Sequence, residues 1–258
     1  AVRFERRGAA AWLTLDRPAD LNAIDRAVLD GLSEGLDRAG ADDGIRVLVI
    51  TGAGRAFCAG GDLKAVEEMA AADPRGGQGF LLDLGAVLER LAAFPGPVVA
   101  AVNGLAMAGG LEIALCCDLV VAAEDARIGD AHATYGLIPG GGSSIRLPRR
   151  VGTGMAMRLL LTGEALPARE LVACGLVTTA VPADELEDAV DGLVAVLAAR
   201  SPLGLARTKR LVHDGADQAV ATGLRLELVA SDLHARSFDM AEGLAAFREK
   251  RTPRFEGR

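Results

Sequence analysis

Two glycine-rich segments carry the strongest chemical signal in the chain: Cys58-Ala59-Gly60-Gly61-Asp62 and Ala108-Gly109-Gly110-Leu111-Glu112. Each follows an apolar run, Val47-Leu48-Val49-Ile50 before the first and Val98-Val99-Ala100-Ala101-Val102 before the second. Two such turns can bring two backbone N–H groups together. A pair of converging N–H donors holds an oxygen that becomes negative during a reaction. Gly109 and Gly110 are predicted to open a helix, whose N-terminal dipole favours developing negative charge. Glu112 falls in the first turn of that helix. There a carboxylate serves either as an acid–base group or simply as a good N-terminal residue.

The elements that position these turns follow from periodicity. Trp12 to Leu15 predicts an early strand. Ile24, Val28, Leu29, Leu32 and Leu36 recur at helical spacing. Residues 46–51, 98–102 and 119–123 read as buried strands, apolar without alternation. Leu63 to Ala71 and Phe80 to Leu91 read as helices. Between them, Asp73-Pro74-Arg75-Gly76-Gly77-Gln78-Gly79 is the most loop-like segment. Strand and helix alternate through the first half, the pattern of an α/β fold. From about residue 143 the chain becomes mostly helical, with a stripe of Leu186, Val190, Leu193 and Leu197. The expected division is an α/β core over 1–190 and a helical C-terminal region over 191–258, the latter too apolar to stand without packing or oligomer contacts.

Composition excludes several functions. The chain has 258 residues, a net charge of −7 and only 3% aromatic residues, with one Trp and one Tyr. That leaves few stacking platforms for single-stranded nucleic acid and a poor electrostatic match to any polyanion. Cys58, Cys116, Cys117 and Cys174 show neither metal-ligand spacing nor a disulfide framework, so no metal is expected and a reducing cytoplasm is. No window approaches a membrane span, and the first residues lack a hydrophobic signal region. The run Val47-Leu48-Val49-Ile50-Thr51-Gly52-Ala53-Gly54 fails as a dinucleotide fingerprint, because Phe57 occupies the third glycine position. The chain contains neither a phosphate-cradling Gly-x-x-x-x-Gly-Lys-Ser/Thr loop nor a Gly-x-Ser-x-Gly nucleophile elbow.

The segment Arg55-Ala56-Phe57-Cys58-Ala59-Gly60-Gly61-Asp62-Leu63-Lys64 resembles the first signature of the enoyl-CoA hydratase/isomerase (crotonase) superfamily. Ala101 to Glu112 resembles the second. Leu15-Asp16-Arg17-Pro18, Leu21-Asn22-Ala23, Gly136-Leu137-Ile138-Pro139-Gly140-Gly141-Gly142, Leu161 to Leu166 and Phe247 to Arg251 add matches in the right order along nearly the whole chain. The resemblance implies an α/β, crotonase-like spiral of repeated ββα units, closed by C-terminal helices that mediate trimers or pairs of trimers. It implies an acyl-CoA substrate, with coenzyme A as part of that substrate and no permanently bound cofactor.

The same resemblance implies that the N–H groups of Gly61 and Gly109 hold the thioester oxygen, and that Glu112 is the first catalytic glutamate. The second glutamate position holds His132, and the proline usually before it is replaced by Ala131. An imidazole can hold or deliver a proton near neutral pH. If residues 130–132 are extended, Asp130 points to the same side as His132 and could orient the ring. Gly140 offers no side chain where related isomerases carry an acid. Ala23, Ala59, Asp62, Lys64 and Lys250 are expected at the coenzyme or substrate, with Arg17 a further candidate for its phosphates. Tyr135 reads equally as a pocket or a core residue, and His213 and His234 as structural. The expected reaction is addition or removal of water on an acyl-CoA thioester through a stabilised enolate. The alternatives are decarboxylation, hydrolysis or isomerisation through the same enolate, or a non-catalytic CoA-ligand-binding subunit.

Overall fold

The computed structural model describes residues 1–72 and 76–258. Asp73-Pro74-Arg75 of the expected loop lie outside the described residues, whereas Gly76 to Gly79 form the first turn of a helix. The first third runs β1 (Val2–Arg7), β2 (Ala10–Leu15), α1 (Arg26–Gly40), β3 (Val47–Gly52), β4 (Ala56–Cys58), α2 (Leu63–Ala72) and α3 (Gly76–Ala92). Next come β5 (Val98–Val102), β6 (Leu105–Met107), α4 (Gly109–Leu115), β7 (Leu119–Ala123) and β8 (Arg127–Gly129). The remainder is α5 (Ser143–Val151), α6 (Thr153–Thr162), β9 (Ala165–Pro167), α7 (Ala168–Leu171), β10 (Thr179–Val181), α8 (Leu186–Ala198), α9 (Pro202–Gly215), α10 (Val220–Ala235) and α11 (Phe238–Glu249).

The strands form two sheets, ordered β1-β2-β3-β5-β7-β10 and β4-β6-β8-β9. In the first, only the β1–β2 pair is antiparallel. Both faces of its centre are covered, which is why β3 and β5 are apolar throughout. Leu48, Ile50, Val98 and Ala100 face the main core with α1 and α3. Val47, Val49, Val99 and Ala101 face the other way, onto Leu186, Val190 and Val194 of α8. Thus α8 crosses residue 190 while lying on the sheet. Asp25 caps α1 by accepting from the Val28 N–H at 2.8 Å, and Val28, Leu29, Leu32 and Leu36 form its buried stripe.

The chain winds as a repeated unit: a long strand in the first sheet, a short strand in the second, then a helix. β3–β4–α2, β5–β6–α4 and β7–β8–α5 are three such turns of the spiral. Because β4, β6 and β8 are parallel neighbours, the segments leaving their C-terminal ends are adjacent. Those segments carry Gly61, Gly109 and the Asp130–His132 pair. The C-terminal helices are tied on by polar contacts. Asp118 accepts from the Val98 N–H at 2.7 Å and pairs with Lys209 of α9 at 2.9 Å. His213 reaches the same carboxylate at 3.5 Å, and Arg207 meets His234 at 3.0 Å, so both histidines are structural. Among the described residues, no single helix is long and apolar enough to cross a membrane.

Candidate active site

The turn after β4 is fixed by a bridge to Ile24. The Ile24 N–H donates to Gly60 O at 2.7 Å, and the Asp62 N–H donates to Ile24 O at 2.9 Å. Between them the Gly61 N–H meets no acceptor among the described residues. The turn after β6 ends at Ala108, whose φ of 48° and ψ of −114° are conformations that glycine usually supplies. This unfavourable backbone aims the first helical amide, that of Gly109, out of α4, where it also lacks an acceptor among the described residues. A Cβ built on Gly109 would lie 3.5 Å from the Gly61 nitrogen, which places the two amides side by side. Gly110 packs α4 hard against β4, since a Cβ there would run into the Cys58 carbonyl.

Glu112 is 2% exposed. Its Oε1 accepts from the N–H groups of Gly141 at 2.8 Å and Ser143 at 3.1 Å, at the N-terminal end of α5. One carboxylate oxygen is thereby fixed, and Oε2 remains for other chemistry. His132 opens a 3-10 turn over His132–Tyr135. Its Nδ1 is 2.8 Å from Oδ1 of Asp130, which is fully buried. Burial pulls the His132 pKa down, but the hydrogen bond and charge of Asp130, with the charge of Glu112, outweigh it and raise the pKa above the ordinary imidazole value.

A cavity of about 260 Å³ joins these groups. Ala59, Gly61, Gly109, Glu112 and His132 line it, together with the apolar Val66, Phe80, Leu81, Leu84 and Leu137. Such a cavity, mostly apolar with a few polar groups in its lining, suits an apolar chain ending in a reactive carbonyl. Tyr135 stands at the mouth, 68% exposed, and is not a core residue. A larger cleft of about 620 Å³ lies between the end of α3 and α9. Its Lys209 and Arg210 are already paired, with Asp118 and Asp214, and its His213 lies against the same Asp118 carboxylate.

Of the residues singled out by sequence, the structure gathers Ala59, Gly61, Gly109, Glu112 and His132 at the cavity, with Asp130 directly behind His132. Ala23, Asp62, Lys64 and Lys250 lie outside its walls. Lys64 is exposed on the first turn of α2, and Lys250 is the left-handed residue that ends α11. The Asp62 side chain accepts from the Ala65 N–H at 3.3 Å, capping α2, and pairs with Arg17 at 3.0 Å. Arg17 is committed elsewhere: it pairs with Asp20, Asp25 and Asp62 and donates to Ala23 O at 2.7 Å. Cys58 is inert, its thiol pushed up to about 12, chiefly by burial. Residues 130–132 are not extended. Ala131 is left-handed, with φ 62° and ψ −13°, and a turn, not strand alternation, brings Asp130 to His132. Sequence reasoning also missed Gly141 and Ser143 as the clamp on Glu112, although the Gly140-Gly141-Gly142 run marked the place.

Comparison with known proteins decides the family. The family model described as enoyl-CoA hydratase/isomerase matches residues 5–258. The chain belongs to the enoyl-CoA hydratase/isomerase family. Within that family it is 39% identical to 2,3-dehydroadipyl-CoA hydratase of Escherichia coli (strain K12), over 98% of this chain and 97% of the relative. It is 38% identical to human enoyl-CoA hydratase domain-containing protein 2, mitochondrial, over 95% and 85%. The crystal structure of an enoyl-CoA hydratase from Bacillus anthracis superposes with a TM-score of 0.94 at 34% identity, covering 100% of this chain and 99% of that one. An enoyl-CoA hydratase from Polaromonas sp. JS666 gives 0.95 at 32% identity, over 98% and 99%. The crotonase fold expected from the motifs is therefore the fold observed, and the chain is an enzyme of the hydratase/isomerase family.

Proposed function

We propose that the protein adds water to a 2-enoyl thioester of coenzyme A, and removes it from the 3-hydroxyacyl thioester, using Gly61, Gly109, Glu112 and His132. The observation that carries this reading is the convergence, in one apolar-walled cavity, of two amides with no acceptor among the described residues, a buried carboxylate with one oxygen clamped, and an imidazole. Glu112 Oε2 takes a proton from water as the water oxygen bonds to the β carbon. The C=C electrons move toward the thioester oxygen, which the Gly61 and Gly109 amides receive. Each such donor is worth roughly 3 kcal/mol to an oxyanion. His132, as imidazolium, then delivers a proton to the α carbon. Dehydration reverses each step.

Ala23, Ala59, Asp62, Lys64 and Lys250 belong to this reading as the surroundings of the coenzyme, with the two lysines near its phosphates. So does a homo-oligomer, trimer or dimer of trimers. α10 has no buried residue, and Val220, Leu224, Leu228 and Leu233 are exposed along it, as a face between copies would be. A cytoplasmic setting accords with four unpaired cysteines.

The test is loss of the conjugated enoyl-thioester absorbance over a series of 2-enoyl-CoA chain lengths. Turnover is expected, falling by roughly 100-fold or more in Glu112→Gln with acyl-CoA binding retained. Tight acyl-CoA binding without turnover on any of them would overturn the hydration reading.

A further inference from the structure

Asp130 has one hydrogen-bonding task in this structure. Its Oδ1 receives both the His132 backbone N–H, at 3.2 Å, and the ring Nδ1, at 2.8 Å. Its Oδ2 has no partner among the described residues. A fully buried carboxylate committed to a single neighbour is costly unless that neighbour carries a compensating proton or charge. The contact depends on Ala131. With Ala131 left-handed, the chain doubles back at once, and residue 132 places its ring over the carboxylate two positions before it. Proline, locked near φ −65°, cannot adopt that conformation, whereas glycine adopts it freely.

We propose that Asp130, Ala131 and His132 form one acid–base device, in which Asp130 is a positioning residue that holds the neutral ring protonated at Nδ1 and presents Nε2 to the α carbon of the bound thioester. The inference rests on the acyl-CoA reading of the cavity but not on hydration. Its readout is a step that needs no double bond: exchange of the α protons of a saturated acyl-CoA with solvent. The α C–H bond breaks, its proton goes to Nε2, and its electron pair becomes an enolate whose oxygen the Gly61 and Gly109 amides receive. Nε2–H exchanges with solvent and returns a solvent proton to the same carbon. The charged groups facing His132 are Asp130 from its own segment and Glu112 from α4. Both favour the imidazolium, so exchange should rise with pH through an inflection above the ordinary imidazole value, as the neutral base forms.

The experiment follows deuterium entering butyryl-CoA in heavy water by proton NMR, together with the ¹⁵N signals of His132 in the whole protein. Exchange is expected, with the neutral ring protonated at Nδ1. In Asp130→Asn the inflection should move to lower pH and the plateau rate fall roughly 10-fold to 100-fold. Ala131→Gly should keep the wild-type inflection, and Ala131→Pro should behave as Asp130→Asn does. A wild-type ring protonated at Nε2, or an unmoved inflection in Asp130→Asn, would overturn the proposal without recourse to a variant that fails to fold. Exchange with these dependences but no hydration keeps the device and rejects the hydration reading. Hydration with no exchange does the reverse.

Discussion

At the scale of the residue, the site is distinguished less by which groups are present than by which of their lone pairs and protons are already spent. Glu112 gives one oxygen to the Gly141 and Ser143 amides and keeps the other. A Cβ on Gly141 would collide with the Glu112 carboxylate and press on Leu88. Gly141→Ala should therefore displace the carboxylate and lower kcat by about 100-fold, with KM changed far less, since the amides of Gly61 and Gly109 still receive the thioester. Steady-state kinetics on one enoyl-CoA separates the two constants. Glu112 was legible as a candidate because it lies three residues after Gly109 in a helix's first turn. Its clamp was not, because residues 141 and 143 reach it only through the packing of α5 against α4. Ala131 was illegible for a related reason: a left-handed alanine leaves no compositional trace.

At the scale of the element, the two glycine turns are neighbours because β4 and β6 are paired, and α4 starts hard against β4. Gly110 is where that packing is tightest, its α carbon facing the Cys58 carbonyl. Gly110→Ala must push α4 away from backbone that has no freedom to move, a misfit costing about 1–3 kcal/mol. A fall in the midpoint of denaturant unfolding at constant slope would register it. The buried strands were readable from composition, since β3 and β5 are apolar on both faces for the reason seen in the structure: α1 and α3 cover one side and α8 the other. The short strands of the second sheet were not. Three residues such as Leu105-Ala106-Met107 hold no periodicity, and they become a strand only by lying between β4 and β8.

At the scale of the whole molecule, the C-terminal segment is held to the body by a few buried and half-buried polar groups. Arg46 donates to Ala198 O and Phe255 O, joining the first sheet to the end of the chain. Asp239, 1% exposed, accepts from the Ser201 hydroxyl and the N–H groups of Glu256 and Gly257. Burial raises the Asp239 pKa, but those donors outweigh it and hold it below the usual carboxylate range. A carboxyl depressed in the folded state contributes stability above its unfolded pKa and loses it as pH falls through the folded value. Melting temperature followed from neutral pH down through the carboxylate range should therefore drop less steeply in Asp239→Asn, which starts lower at neutral pH. The overall winding was readable from the order of motifs along the chain. The attachment of α9 to α11 was not, because Asp118–Lys209 and Asp239–Ser201 join residues distant in sequence and typical of any solvated surface.

The left-handed Ala131 also limits how this site can be re-engineered. Exchanging His132 for glutamate would not recreate a plain pair of glutamates. It would replace the ring that meets buried Asp130 at 2.8 Å with a second carboxyl, setting two acidic groups side by side with only the backbone N–H of residue 132 donating to Asp130 among the described residues. Residues 130, 131 and 132 are therefore a cassette: a donor library that varies position 132 alone samples broken sites, while one that exchanges all three together samples alternative acid–base chemistries on the same two amides.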